Sequence, residues 1–103
     1  MQEETRVAVI SMIVDSGENV DADSTSMINS LLHECRSHII GRMGIPYREK
    51  GLSIINVVLD APMDVISALS GKLGRLRGVT VKTVYSKRSA AEEKNQTEKG
   101  QLS

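Results

Sequence analysis

Two stretches decide the fold: residues 6–15 (RVAVISMIVD) and residues 52–60 (LSIINVVLD). Both are nearly continuous apolar runs rich in Val and Ile, which is typical of strands buried on both faces. When the second stretch is extended back to Gly51, it aligns on the first without gaps, and both end in Asp. The alignment indicates an internal repeat, so the chain is expected to consist of two similar halves.

The first half continues with a helix. Ser24 or Asp23 is expected to cap it, because a short side-chain oxygen accepts from the free N–H groups of the first turn. Residues 37–43 are predicted to form a short strand, and residues 44–51 a loop broken by Gly and Pro. Apolar residues at helical spacing place the helix over residues 24–36: Met27, Ile28, Leu31, Leu32 and Cys35.

The second half repeats this order after residues 52–60. Pro62 fits the first turn of a helix, and Asp64 suits the positive end of its dipole. Gly74 is a plausible end of that helix, and residues 79–86 (VTVKTVYS) predict a last strand.

The order βαβ followed by βαβ predicts an α+β, ferredoxin-like βαββαβ sandwich: a four-stranded antiparallel sheet with two helices on one face. Residues 6–87 form this domain. Residues 1–5 are a polar lead-in, and residues 88–103 are too polar to bury a core and are predicted to be a disordered tail.

One face of this sheet needs a partner. Two short helices cover one face only, yet both repeated strands are apolar on both faces. We expect the chain to bind itself through the uncovered face, as a homodimer or homotetramer.

Composition excludes several classes of protein. The 103 residues include no Phe, no Trp and a single Cys. One Cys excludes an internal disulfide, a Cys-rich zinc site and an iron–sulfur cluster held by one chain. No run approaches about 18 apolar residues, so no membrane span is expected. The acidic start, Met-Gln-Glu-Glu, is unlike an export signal, so a cytoplasmic location is expected. The formal net charge is zero, which argues against general nucleic-acid binding.

The loop around residues 41–51 is the main candidate ligand site. Guanidinium groups of Arg42 and Arg48, with backbone N–H groups near Gly44, suit a carboxylate or phosphate. Tyr47 is placed to stack on a ring or to cap its edge. The alternative is an ordinary strand connection with solvated charges and glycines that its turns require.

His33, Cys35 and His38 are candidate metal ligands, since imidazole and thiolate suit nickel, zinc or copper. His33 and Cys35 are two positions apart on a helix, so they point about 200° apart and cannot act together within one chain. A metal shared between subunits is one hypothesis. The other is that Cys35 is a small core residue and the histidines lie on the surface.

The remaining motifs favour structural roles. The basic, Gly-rich residues 71–78 lie where a helix ends, and contact with nucleic-acid phosphates is the alternative. Asp15 and Asp60 follow the repeated strands, where capping of backbone N–H groups is expected and acid–base work is the alternative. No Ser–His–Asp or Cys–His constellation stands out, so we expect no enzyme.

Residues 39–62 (IIGRMGIPYREKGLSIINVVLDAP) and 68–87 (ALSGKLGRLRGVTVKTVYSK) resemble a known family. These are small ACT-like proteins described as regulators of the iron-only hydrogenase system, and the resemblance runs over residues 6–87. It implies a ferredoxin-like fold similar to amino-acid-binding ACT domains and to the C-terminal domain of the nickel-responsive repressor. It also implies oligomers and a regulatory role.

The chain departs from this family pattern in two places. Residues 16–23 form a longer acidic loop, and residues 33–38 carry more metal-type side chains, so the resemblance assigns no metal ligand and leaves any cofactor unknown. The expectation is a regulatory module that binds a small anionic or zwitterionic ligand. The alternatives are a metal sensor like the nickel-responsive repressor and a ligand-free subunit that binds a regulatory protein.

Overall fold

The computed structural model describes residues 4–15 and 22–87. The predicted tail, most of the acidic loop and part of the lead-in lie outside these residues. In chain order the elements are strand β1 (Arg6–Asp15), helix α1 (Ala22–Glu34), a 3-10 turn (Arg36–His38), strand β2 (Ile39–Tyr47), a second 3-10 turn (Arg48–Lys50), strand β3 (Leu52–Ala61), helix α2 (Met63–Gly74) and strand β4 (Val79–Tyr85).

The four strands form one antiparallel sheet in the order β2-β3-β1-β4. This confirms the predicted α+β, ferredoxin-like fold. The two repeated stretches, β1 and β3, are the central strands and pair along their whole length, from Arg6 opposite Ala61 to Asp15 opposite Leu52. A strand with neighbours on both sides satisfies all its backbone groups, which suits the two most apolar segments of the chain.

The core lies between the sheet and the two helices. Alternate residues of β1 and β3 face the helices, and Ile10, Met12 and Leu59 are fully buried there. Helix α1 contributes Ile28 and Leu32 at helical spacing. The rest of this aliphatic core is Ala8, Val14, Val57, Ala61, Ile66, Leu69, Leu73 and Val79. We call this side of the sheet the helix face.

Two of the predicted boundaries are wrong. Helix α1 spans Ala22–Glu34, so Ser24 lies inside its first turn and does not cap it. The Ser24 hydroxyl instead donates to the backbone carbonyl of Arg77 over 3.0 Å, and this bond fastens α1 to the connection between α2 and β4. Strand β2 continues to Tyr47, through residues predicted to be a loop.

The true turn between β2 and β3 is short. It consists of the 3-10 turn Arg48–Lys50 and Gly51, whose φ of 64° lies in the left-handed region. Glycine adopts this conformation without the steric cost that a Cβ atom brings. The turn therefore begins four residues later than the sequence predicts.

Candidate functional site

The four predicted ligand residues lie on three different parts of the β2 hairpin. Arg42 pairs with the buried Val57, and so it projects from the helix face, as does Gly44 two residues later. Tyr47, an odd number of residues from Arg42, lies on the opposite face. Arg48 begins the 3-10 turn. Within one chain the strand thus separates Arg42 and Gly44 from Tyr47.

Tyr47 and Glu49 interact locally at the end of the hairpin. The Tyr47 hydroxyl donates to Oε1 of Glu49 over 3.2 Å. Both side chains are exposed, so this contact closes the turn and leaves the ring of Tyr47 accessible.

Arg42 lies in a groove between α1 and the edge strand β2. This α1–β2 groove has a volume of about 300 Å³ and is lined by Asn29, Leu32, His33, Arg36, Ile39 and Arg42. Leu32 is buried and Ile39 half-buried, so they supply the apolar part of the wall. The other four side chains are polar, and three of them are basic.

The Arg36 side chain is held in place beside this groove. Its Nη1 donates to the backbone carbonyl of His33 over 2.9 Å. A guanidinium group carries five N–H donors, so most of its donor capacity remains for other partners.

Asn29 and Arg36 were not among the predicted site residues. The signal was present, since Asn29, His33 and Arg36 are spaced by four and three residues and share one side of a helix. The sequence alone does not show that β2 brings Arg42 to that same side.

The structure separates the metal-type side chains of this region. His33 lines the α1–β2 groove, whereas Cys35 lines a second groove between α1 and α2, with Glu34 and Lys72. His38 ends the 3-10 turn that follows α1. In the described ranges no three His, Cys, Asp or Glu side chains are close enough to hold a metal ion. The expectation that His33 and Cys35 diverge is confirmed, and a metal shared between subunits stays a hypothesis.

The environment of Cys35 favours the thiol form. Burial, together with the negative charge of Glu34, raises the pKa of the Cys35 thiol, and the positive charge of Lys72 opposes this effect. The side chain packs at the edge of the core, as predicted.

The sheet face opposite the helices is apolar and uncovered by any element of the described chain. We call it the open face. At its centre the Ser11 hydroxyl donates to Oδ1 of Asn56 over 2.6 Å. Around this pair lie apolar side chains from all four strands: Val7, Val9, Ile13, Met43, Ile45, Tyr47, Leu52, Ile54, Val58 and Val84. The same face also carries a charged side chain near its centre, Lys82 of β4, which pairs with Ser11.

Several of these open-face side chains are large and exposed. Ile13 on a central strand is 46% exposed, and Ile45 and Met43 on the edge strand β2 are 48% and 52% exposed. Contiguous apolar surface of this kind is typical of sites of protein association, which makes the open face a candidate for one.

Asp15 and Asp60 do not form a catalytic pair. Strands β1 and β3 are antiparallel, so the two residues lie at opposite ends of the sheet, Asp15 opposite Leu52 and Asp60 opposite Val7.

No helix in the described residues is long and apolar enough to cross a lipid bilayer.

Comparison with known proteins identifies the family. Residues 6–83 match a family described as "TM1266-like: Iron-only hydrogenase system regulator, putative". The chain belongs to the TM1266-like family. It is also similar to a solved structure, that of the uncharacterized protein TM1266 from Thermotoga maritima, with 40% identity and a TM-score of 0.73. That match covers 82% of this chain and 100% of the other. A comparison with curated proteins finds no match.

The TM1266-like region contains both surfaces described above. The matched residues run from the start of β1 into β4, so they include the α1–β2 groove and nearly all of the open face. The family description names a regulator and no catalytic activity, and it agrees with the resemblance seen in the sequence.

Proposed function

We propose that this member of the TM1266-like family is a regulatory module that self-associates through its open face and binds a small anionic or zwitterionic ligand. It would act on the iron-only hydrogenase system. The observation that carries the proposal is the open face, because a largely apolar sheet face left exposed is typical of a surface that binds another protein chain.

A second copy of the chain is the partner that best fits the open face. The two central strands contribute Ser11, Ile13, Ile54 and Asn56 to the middle of the face, with no charge among them. Lys82 of β4 lies beside Ser11 on the same face, so a two-fold dimer must keep its two copies of Lys82 apart. The uncharged apolar remainder of the face can pair with a second copy of itself.

Arg42 is the predicted ligand residue with the strongest support. It projects into a groove that contains two further basic side chains, and no described acidic residue pairs with it. Gly44, Tyr47 and Arg48 stay proposed as ligand residues, with Tyr47 reached from the open face or across a subunit boundary.

The described helices are separated by two strands, so they form no helix-turn-helix. An effect on gene expression would therefore pass through another regulatory protein that binds the oligomer.

Ile13→Lys tests self-association. Ile13 lies on a central strand, and a lysine there places an unpaired charge inside the proposed interface. We expect the dissociation constant of the oligomer to rise at least about a hundred-fold, which corresponds to roughly 3 kcal/mol. Sedimentation equilibrium would then find the variant as a monomer at concentrations where the wild-type chain is a dimer or tetramer.

Met27→Lys is the matched control. Met27 is 49% exposed, close to the value for Ile13, but it lies on α1 and not on the open face. The Met27→Lys variant should therefore form an oligomer of the same number of chains as wild type. Ile45→Lys on the edge strand replaces Ile13→Lys if the latter does not fold. If both open-face variants form the same oligomer as wild type, self-association through this face is refuted.

A further inference from the structure

The α1–β2 groove concentrates hydrogen-bond donors and contains no acid. His33, Arg36 and Arg42 bring positive or donor groups to its walls, and Asn29 adds an amide. Glu34 is the acid nearest in sequence, but it lines the groove on the other side of α1. The charge of the groove is therefore not neutralised from within.

Neither guanidinium has an acidic partner among the residues that the structure describes. The Arg36 side chain donates only to the backbone carbonyl of His33, and Arg42 makes no hydrogen bond there. Two arginines without an acidic partner line one groove, Arg36 from the turn after α1 and Arg42 from β2, and together they leave N–H donors free for an anion.

The end of helix α1 does not oppose an anion here as strongly as its dipole suggests. The carbonyl of Leu32 accepts from the Cys35 N–H over 3.1 Å, and the carbonyl of His33 accepts from Arg36 over 2.9 Å. Both carbonyl oxygens already accept a hydrogen bond within the chain. The groups that face the groove are therefore side-chain hydrogen-bond donors.

We propose that the α1–β2 groove binds a small anion through carboxylate or phosphate groups held between Arg36 and Arg42. Asn29 and His33 supply further donors, and Leu32 and Ile39 contact the apolar part of the ligand. This rests on the proposed function, because it assigns the ligand class and the position of the same module's site. It places the centre of binding in the groove, with Arg48 of the β2 turn outside that centre.

The volume of the groove limits the ligand to a small metabolite. A space of about 300 Å³ is at the lower end of small-molecule sites. Arginine pairs bind carboxylate and phosphate with similar geometry, so the structure specifies an anionic group and not which of the two.

Titrations of the full-length chain, followed by amide NMR at constant ionic strength, test this proposal. The probes are inorganic phosphate and, separately, succinate, with neutral succinamide as the control. We expect saturable shifts of the amides in residues 29–42 with at least one of the two anions and none with succinamide. Saturation by phosphate alone would assign phosphate groups, and saturation by succinate alone would assign carboxylates.

Arg36→Gln and Arg42→Gln are each expected to weaken binding about ten-fold, the loss that one charge-assisted hydrogen bond represents. Arg75→Gln is the matched control, because it makes the same change of net charge outside the groove, and it should leave the affinity within about two-fold of wild type. Arg48→Gln is the competing variant, since it weakens binding as much as Arg42→Gln if the β2 turn is the centre of binding.

Three results would overturn the groove assignment. The first is an equal loss in all four variants, which indicates general attraction to a basic surface. The second is a loss with Arg42→Gln and Arg48→Gln but not with Arg36→Gln, which moves the site to the β2 turn. The third is no saturable binding of either anion. Self-association is measured separately with Ile13→Lys. None of these three results therefore decides whether the chain self-associates through its open face.

Discussion

Ser11 and Asn56 link the repeat in the sequence to the symmetry of the sheet. The gapless alignment of the repeated stretches places Ser11 on Asn56, and the structure pairs these same two residues across β1 and β3. An internal two-fold axis therefore passes between them. Their 2.6 Å hydrogen bond satisfies two polar side chains in the middle of an apolar face, which an interface between two copies requires.

Cys35 is a residue whose chemistry depends on its position between two helices. Its pKa is raised above the ordinary thiol value of 9.0, first by burial and then by Glu34. Such a thiol stabilises the fold fully below the ordinary value, and this contribution is lost as the pH rises through the raised value. Metal binding needs the thiolate, so the same environment disfavours Cys35 as a ligand within one chain.

Glu34→Gln is expected to lower the pH midpoint for alkylation of Cys35 by iodoacetamide, because a negative charge that opposes the thiolate is removed. Lys72→Gln is expected to raise the midpoint, because a favourable positive charge is removed. The rate of alkylation of the native protein against pH measures both. Glu49→Gln, in the distant β2 turn, should leave the midpoint unchanged, and three identical profiles would contradict this account of the site.

Strand β2 is the element that the sequence predicted least well. Gly44 and Pro46 indicated a loop, yet the strand runs through both. The reason is its position at the edge of the sheet, where a proline can direct its missing N–H outward and remove no ladder hydrogen bond. A single sequence does not show which strand will be at the edge, so this extension was not predictable from turn signals.

Elements with a strong apolar pattern were predicted well. The bounds of β1 were correct, and those of β3, β4 and α2 were correct to within one or two residues. Helix α1 begins two residues before its expected start, because Ser24 is buried against Arg77 and acts as a tertiary contact instead of a cap. A polar residue that bonds a distant carbonyl looks the same in sequence as one that caps a helix.

Gly51→Ala is expected to destabilise the β2–β3 hairpin. Its φ of 64° costs an L-residue with a Cβ atom about 1 kcal/mol. The free energy of unfolding, measured by urea denaturation, should fall by about that amount.

Gly44→Ala is the matched control in the same hairpin. A Cβ atom at Gly44 would meet nothing within 4 Å, and its φ is not positive, so the change should alter stability by less than about 0.5 kcal/mol. Equal losses for the two variants would show that the left-handed turn does not determine the stability of the hairpin.

For the whole molecule, β2 connects the two proposed surfaces. Its alternate residues face opposite sides of the sheet: Arg42 lies in the α1–β2 groove, and the neighbouring Met43 lies on the open face. A ligand held by Arg42 is therefore one residue away from the self-association surface. In the proposed function, this arrangement would give an edge strand, the least buried of the four, a direct role in regulation.

The candidate site was predictable in part. Arg42 was singled out from the sequence, but its companions in the groove come from α1 and the turn after it, Asn29, His33 and Arg36. Bringing them together requires the packing of α1 against β2 and the face on which Arg42 lies. The packing of α1 and the face of Arg42 both depend on the register of β2 against β3. That register includes Pro46, where the sequence predicted a loop and not a strand.

The central claim is that the open face is covered by a second copy of the chain. Native mass spectrometry of the full-length protein, purified without chelator or added metal, tests it most directly. We expect a mass of two or four chains, and a small retained organic mass would further support the ligand site. A mass of one chain across the micromolar range would contradict the account.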